Sequence, residues 1–175
     1  FHRATDALSP FANDGWLATY GINPSGPETG YGYIQTGSKV GTDVYEVQRF
    51  VEKPEAAQAA AMIATGDHVW NGGIFLFRAD SYLDAIKEHA PAMDVAVRAA
   101  MDKAQRDGNL VRPHHESFAS SPADSIDYAI MEKAEKVAVA PVSMGWSDVG
   151  SWDALHDIGQ KDMEGNVTSG TVRID

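Results

Sequence analysis

The chain has 175 residues, of which 43% are hydrophobic, a length and composition suited to one globular domain or a large part of one. Its 25 acidic and 14 basic residues give a formal net charge of −11. This charge argues against a nucleic-acid or anionic-membrane surface, because such surfaces depend on clustered lysine and arginine. The absence of cysteine excludes disulfides and cysteine-bound metals and is compatible with the cytoplasmic location that we expect. No apolar run reaches the roughly 18 residues of a membrane-spanning helix.

In the first half of the chain, apolar alternation and capping residues separate one predicted element from the next. We expect Pro10 to break the opening helix. Pro54 is expected to open a later helix at the position where proline costs least, and Gly66 to end it in the left-handed conformation. In chain order, the predicted elements are a helix over 1–11, strands over 16–22, 31–36 and 43–53, and a helix over 55–65.

The second half begins with a nearly continuous apolar run at 74–77, typical of a strand that is buried on both faces. The segment 109–124 is polar, so we interpret it as irregular. The remaining predicted elements are helices over 81–89 and 92–107, the second ending at Gly108, then a helix over 126–136, a strand over 137–142 and a helix over 151–158.

The alternation of helices and strands predicts an α/β sandwich with a mixed, mostly parallel sheet. Ligands of such sheets bind at the carboxyl ends of the strands, near a topological switch point. The glycine-rich and charged motifs of this chain fall at predicted strand ends. The sequence therefore favours a ligand site along that edge.

The run Gly-Trp-Ser-Asp-Val-Gly-Ser-Trp at 145–152 places one carboxylate between two tryptophans, just before a predicted helix. Free N–H groups at a helix entrance suit phosphates, and an aspartate beside phosphates commonly holds a divalent cation. In the alternative interpretation, Trp146 and Trp152 are core anchors, and Asp148 or Ser151 only caps the helix. This motif alone does not decide between the two.

Four further motifs combine glycines, aromatics and polar groups: Pro-Glu-Thr-Gly-Tyr-Gly-Tyr at 27–33, Phe-Val-Glu-Lys-Pro at 50–54, Trp-Asn-Gly-Gly at 70–73 and Ser-Ile-Asp-Tyr-Ala-Ile-Met-Glu-Lys at 125–133. Each also has a structural interpretation. Glu52 and Lys53 fit an exposed strand end, Asn71 fits an Asx turn, and Asp127 fits a stabilising position in the first turn of a helix. The glycines at 27–33 fit a tight loop before a strand.

Taken together in this order and approximate spacing, the five motifs resemble the bacterial mannose-1-phosphate guanylyltransferases, a branch of the sugar-1-phosphate nucleotidylyltransferases. The resemblance runs from about Phe11 to the C-terminus. It implies a Rossmann-like nucleotidyltransferase sandwich. It also implies a reaction of GTP with mannose 1-phosphate that gives GDP-mannose and pyrophosphate, a step in polysaccharide biosynthesis.

The family's opening glycine-rich loop, which contains arginine and grips the nucleotide, has no counterpart in this sequence. We therefore expect an internal piece of a longer enzyme, with the N-terminal nucleotide-binding part missing and no activity of its own. Residues 1–165 are expected to form the sugar-phosphate-binding part of the domain, and residues 166–175 to begin a further β segment.

The resemblance also assigns roles to residues and ligands. It implies Mg²⁺ bound by Asp148 as one of two aspartates, and Lys53 and Asp148 as catalytic residues. Mannose 1-phosphate, GTP and GDP-mannose are the implied ligands, without nucleic acid or membrane, and a homodimer remains open. The implied substrate-binding residues are Tyr31, Gly32, Glu52, Lys53, Asn71 and Asp127.

Two alternatives to this function stay open at the level of the sequence. One is a different sugar-1-phosphate nucleotidylyltransferase, with another sugar or base. The other is a non-catalytic regulatory subunit that keeps the sugar-phosphate pocket. The sequence upstream of Phe1 would discriminate the enzyme from the binding subunit.

Overall fold

A computed structural model describes residues 1–172 and divides the chain into two compact units, Phe1–Val142 and Ser143–Asp175. No helix among the described residues has the length and apolarity needed to cross a membrane. The strands are β1 (Leu17–Ile22), β2 (Tyr33–Gly41), β3 (Val44–Val51), β4 (His68–Leu76), β5 (Gln105–Asp107), β6 (Leu110–Arg112) and β7 (Val137–Val142). The helices are α1 (His2–Asn13), α2 (Ala56–Thr65), α3 (Ala79–His89), α4 (Pro91–Asp102), α5 (His115–Ala119), the π-helical turn Asp127–Met131 and α6 (Trp152–Ile158).

The five long strands of the first unit pair in the closed order β1–β4–β2–β3–β7, with β7 returning to β1. Only β1 and β7 run parallel among these described strands; the other four pairings are antiparallel. The mixed α/β fold is confirmed, whereas the expectation of a mostly parallel sheet is wrong. One physical reason is the two-residue turn after Gly41, because a connection this short forces β2 and β3 to run antiparallel.

The core of the first unit surrounds β1, in which all six residues are buried. One apolar cluster joins Ile34, Val69 and Val139 on three different strands. A Cβ at Gly21 would lie 2.2 Å from Cγ2 of Val69, so β1 and β4 approach as closely as they do because this position is glycine. A second cluster contains Leu17, Ile86, Ala129, Ile130, Met131 and Val137.

Helix α1 continues through Pro10 to Asn13, so the predicted break at this proline is wrong. Pro10 is exposed, which leaves its ring in solvent, and its carbonyl still accepts a hydrogen bond from the Asp14 N–H at 3.0 Å. Pro54 does not open α2 as predicted, since the helix begins at Ala56. The predicted end of α2 is confirmed, because Gly66 has a φ of 75° and its N–H bonds to the Ile63 carbonyl.

The predicted helix over 92–107 ends at Asp102, and the next residues form a β5–β6 hairpin. Gly108 lies in the turn of this hairpin with a φ of 55°, a conformation that glycine adopts without steric cost. The predicted helix over 126–136 is reduced to the π-turn, and α5 lies in the segment that we expected to be irregular. Of the β segment predicted over 166–175, residues 166–172 form no strand and residues 173–175 lie outside the described residues.

Asp67 connects the end of α2 to β2. Its carboxylate accepts hydrogen bonds from Nε2 of Gln35 at 3.0 Å and from the Thr65 hydroxyl, and it lies 2.7 Å from Nδ1 of His68. The hydrogen bond from Thr65 is the largest cause that lowers the pKa of Asp67 from 3.8 to about 2, followed by the one from Gln35. The ionised carboxylate is therefore the form that this corner of the fold stabilises.

Asp67→Ala is expected to lower the free energy of unfolding at pH 7 by about 1 kcal/mol, a small value because the carboxylate is partly exposed. A carboxyl group whose folded-state pKa is depressed contributes stability above its unfolded pKa and loses it as the pH falls through the folded pKa. The difference from wild type should therefore shrink between pH 3.8 and about 2. Urea unfolding across this range checks the prediction, with Asp84→Ala on the exposed side of α3 as control. A difference that does not change with pH would contradict it.

Candidate functional site

Four of the six predicted substrate-binding residues converge in the first unit, although they are distant in sequence. Gly32 precedes β2, Glu52 follows β3, Asn71 lies within β4, and Asp127 begins the π-turn. The backbone N–H of Asn71 donates to the Gly32 carbonyl at 2.8 Å, and its side-chain Nδ2 donates to Oδ1 of Asp127, also at 2.8 Å. These bonds join two strand segments and the π-turn into one polar cluster.

The Glu52 carboxylate packs against the backbone of the cluster at Gly32. A Cβ at Gly32 would lie 2.5 Å from Oε2 of Glu52 and 3.3 Å from Cβ of Asn71. Any larger residue would therefore displace one of the two polar side chains. The glycine thus makes room for the Glu52 carboxylate beside it.

Asn71 lies in β4, at the start of an irregularity in the pairing with β1. Thr19 pairs with Phe75 and Gly21 pairs with Asn71, so β4 has two extra residues at this point. Gly73 takes a φ of 63° there, and its N–H donates to Oδ1 of Asn71 at 3.1 Å. Bulges of this kind redirect side chains next to functional sites. Because both ends of the Asn71 amide are bonded, its orientation is determined.

Glu52 and Lys53 form an ion pair, with Nζ of Lys53 3.2 Å from Oε1 of Glu52. Neighbours on a regular strand point to opposite faces, but Lys53 has a φ of 45°, which turns the chain after β3. A residue in this left-handed conformation costs about 1–3 kcal/mol, and such residues cluster at functional sites. The Lys53 side chain is 65% exposed and that of Glu52 only 21%, so the ammonium group lies at the open edge of the cluster.

The π-turn presents a polar face beside Asn71. Its residues Ala129, Ile130 and Met131 are buried in the core, and the Glu132 N–H donates to the Asp127 carbonyl at 2.9 Å. Burial, followed by the negative charges of Asp127 and Glu52, raises the pKa of Glu132. π-turns are rare and often lie at functional sites. Glu132 and Tyr128 were not among the predicted site residues, although both belong to the motif at 125–133.

Tyr31 adjoins the cluster through Gly32, and its ring packs edge-to-face on Trp70 with the ring centroids 5.1 Å apart. Trp70 and Asn71 are consecutive in β4, so their side chains leave opposite faces of the strand. The ring of Tyr31 therefore packs on Trp70, on the face of β4 opposite to the Asn71 side chain.

Asp148 lies in the second unit, in the loop before α6. Its side chain is exposed, and a Cβ at Gly150 would lie 2.9 Å from its Oδ2. The helix is capped by Ser151, whose Oγ accepts a hydrogen bond from the Ala154 N–H at 3.1 Å. Trp152 is 85% exposed, so it is not a core anchor. The residue that caps α6 is therefore Ser151 and not Asp148.

Asp148 offers one carboxylate, which is a type of ligand that Mg²⁺ prefers. Within residues 1–172, no three His, Asp or Glu side chains are grouped so that they could hold a metal ion. Mg²⁺ prefers oxygen ligands and takes only one or two carboxylates from a protein, with water and substrate phosphates completing its shell. One exposed carboxylate is consistent with a share in such a site.

Comparisons with known proteins identify the matching family. The nucleotidyl transferase family model matches residues 1–165. The chain is 46% identical, over 98% of its length, to the xanthan biosynthesis protein XanB of Xanthomonas campestris pv. campestris, of which it covers 36%. It is 47% identical, over 92% of its length, to the mannose-1-phosphate guanylyltransferase of Sinorhizobium fredii, of which it covers 31%. The chain thus spans about a third of the length of these curated relatives.

Solved structures support the same fold. The crystal structure of mannose-1-phosphate geranyltransferase from Thermus thermophilus matches 90% of this chain and 45% of its own, with a TM-score of 0.75 and 36% identity. The crystal structure of mannose-6-phosphate isomerase from Helicobacter pylori matches 84% of this chain and 57% of its own, with a TM-score of 0.74 and 28% identity. Both likenesses confirm the predicted α/β class.

Proposed function

The chain belongs to the nucleotidyl transferase family, and on this premise we propose that it forms the sugar-phosphate-binding part of a mannose-1-phosphate guanylyltransferase. Relatives with that printed name are 42–47% identical to it. The proposed reaction joins GTP and mannose 1-phosphate into GDP-mannose and releases pyrophosphate. We place it in the cytoplasm, where GTP is available.

The observation that carries this proposal is the polar cluster formed by Gly32, Glu52, Asn71 and Asp127. Carboxylate oxygens and an amide offer acceptors and a donor at short range, a combination suited to the neighbouring hydroxyl groups of a sugar. The ammonium group of Lys53 lies beside them at the exposed edge. A sugar phosphate would thus find hydroxyl partners and a cation within one site.

In the proposed reaction, a phosphate oxygen of the sugar phosphate attacks the α-phosphorus of GTP. The new P–O bond forms as the bond to the leaving pyrophosphate breaks. The protein's part in such a step is positioning and charge neutralisation. Glu52 and Asn71 orient the hydroxyl groups, Lys53 approaches the sugar phosphate, and Asp148 would hold Mg²⁺. When bound, Mg²⁺ offsets negative charge on the phosphates.

Purified complete protein that contains this chain tests the proposal. Pyrophosphate release is measured with GTP, ATP or UTP, each paired with mannose 1-phosphate or glucose 1-phosphate, and the products are identified by mass. We expect the fastest release, and formation of GDP-mannose, with GTP and mannose 1-phosphate. Preference for another pair would move the protein to a different branch of the family. Binding of mannose 1-phosphate without any release would indicate a regulatory subunit.

Glu52→Gln in the complete protein is expected to raise the KM for mannose 1-phosphate roughly tenfold or more, with little change in the KM for GTP. The reason is that a hydrogen bond to a charged acceptor is worth about 1.5–3 kcal/mol. Glutamine keeps the shape of the side chain but removes its charge. Steady-state kinetics in both substrates measures the effect, with Glu46→Gln, an exposed position on β3, as control. An equal rise in both KM values would contradict the assignment of Glu52 to the sugar.

A further inference from the structure

We propose that the ring of Tyr128 forms a wall of the sugar-phosphate site and stacks on the apolar face of the bound hexose. This inference rests on the proposed function and assigns to it a residue that the motif resemblance did not. Tyr128 would act as a positioning and specificity-determining residue that contacts the sugar.

The position of Tyr128 follows from the geometry of the π-turn. The preceding residue, Asp127, is held by Nδ2 of Asn71 at 2.8 Å, and the next three residues are buried in the core. A turn that buries residues 129–131 leaves Tyr128 outside the core, next in sequence to the residue that bonds Asn71. Tyr128 is 45% exposed, so a large part of its side chain is open to a ligand.

The electrostatic surroundings of the Tyr128 hydroxyl locate it beside the same groups. Loss of solvation raises the pKa of Tyr128, the charges of Glu52 and Glu132 raise it further, and the charge of Lys53 opposes them. The hydroxyl group therefore lies within electrostatic range of both members of the Glu52–Lys53 ion pair. Tyr128, the ion pair and the Asn71–Asp127 bond are therefore near neighbours.

The chemistry of a hexose matches this arrangement. Its hydroxyl groups form a polar edge, for which the cluster supplies acceptors and a donor, while its C–H groups form an apolar face that needs a flat apolar partner. Tyrosine combines an apolar body with a polar tip, which suits such a two-sided ligand. Three carboxylates lie near the Tyr128 hydroxyl, and their negative charge suits the uncharged hexose ring better than a phosphate group at this position.

The test compares Tyr128→Phe, which keeps the ring, with Tyr128→Leu, which keeps only apolar bulk, in the complete protein. Steady-state kinetics gives the KM for mannose 1-phosphate, the KM for GTP and kcat. We expect Tyr128→Phe to stay within about twofold of wild type in all three, and Tyr128→Leu to raise the KM for mannose 1-phosphate about tenfold with the KM for GTP unchanged. Phe118→Leu, at another exposed aromatic of the first unit, should change none of them.

Several outcomes would overturn the inference. A Tyr128→Leu variant with wild-type KM values would show that the ring contacts no substrate. A rise in the KM for GTP would assign the ring to the nucleotide, and an equal loss in Tyr128→Phe would assign the contact to the hydroxyl. A lower melting temperature with unchanged KM values would indicate a structural role. Failure of the wild-type protein to use mannose 1-phosphate would overturn the proposed function itself, and this inference with it.

Discussion

Asp148→Asn in the complete protein is expected to reduce turnover by at least about a hundredfold while leaving the melting temperature unchanged. Asparagine has nearly the shape of aspartate but lacks the anionic oxygen that a magnesium ion prefers. Asp148 is exposed and Ser151 caps α6, so among residues 1–172 the substitution removes no hydrogen bond that holds the loop. The loss should therefore appear in catalysis and in the magnesium requirement.

Kinetics at limiting and saturating Mg²⁺ measures this prediction. The variant should need more Mg²⁺ for half-maximal turnover, and excess Mg²⁺ should restore part of the activity. Asp153→Asn, an acidic position in the first turn of α6, is the matched control and should behave as wild type. Turnover close to wild type at limiting Mg²⁺ would remove Asp148 from the proposed metal site.

Asn71→Asp is expected to raise the KM for mannose 1-phosphate on the order of a hundredfold at pH 8. The substitution replaces the Nδ2 donor by an oxygen that would face Oδ1 of Asp127 at 2.8 Å. Two carboxylates at this distance cannot both ionise without strong repulsion, so the pair takes up a proton with a raised pKa. Burial, and then the negative charges of Asp127 and Glu52, raise the pKa of Glu132, so a further carboxylate would add to negative charge already present in this region.

The sign of the pH dependence follows from the shared proton. Above the raised pKa both carboxylates are charged and push apart, which disturbs the site. Below it, one protonated carboxyl group can donate to the other and restore the hydrogen bond. The KM of the variant should therefore fall relative to wild type as the pH is lowered from 8 to 6. Asn109→Asp, in the β5–β6 turn, serves as the control, and a KM ratio independent of pH would count against the Asn71–Asp127 bond.

Local signals in the sequence predicted much of the fold. The left-handed glycine at 66 and the apolar run of β7 each depend on a few neighbouring residues, and the structure confirms both. The direction of the strands depends on which ones become neighbours, and β4 lies between β1 and β2 without any local sign of it. Turn and helix signals also compete at Gly108, where hairpin pairing prevailed over helix propensity.

The grouping of candidate residues was predictable to a larger extent than the contacts among them. Resemblance to a family indicated Gly32, Glu52, Asn71 and Asp127, and the structure brings these four together. The bond between Asn71 and Asp127 joins residues 56 positions apart, which no short motif encodes. The left-handed turn at Lys53 was equally invisible, because a residue before proline is ordinarily extended.

The pairing of β1 with β7 has a consequence for the synthesis of this protein. Every residue of β1 pairs with a residue about 120 positions later in the chain. At a translation rate of about 5–20 residues per second, β1 emerges on the order of ten seconds before its partner exists. Throughout that interval, a strand destined for complete burial has one edge unpaired, which makes it a template for association between nascent chains. The smallest length of polypeptide that can close the ring therefore ends at β7, and we expect chains that terminate before Val137 to be prone to aggregation.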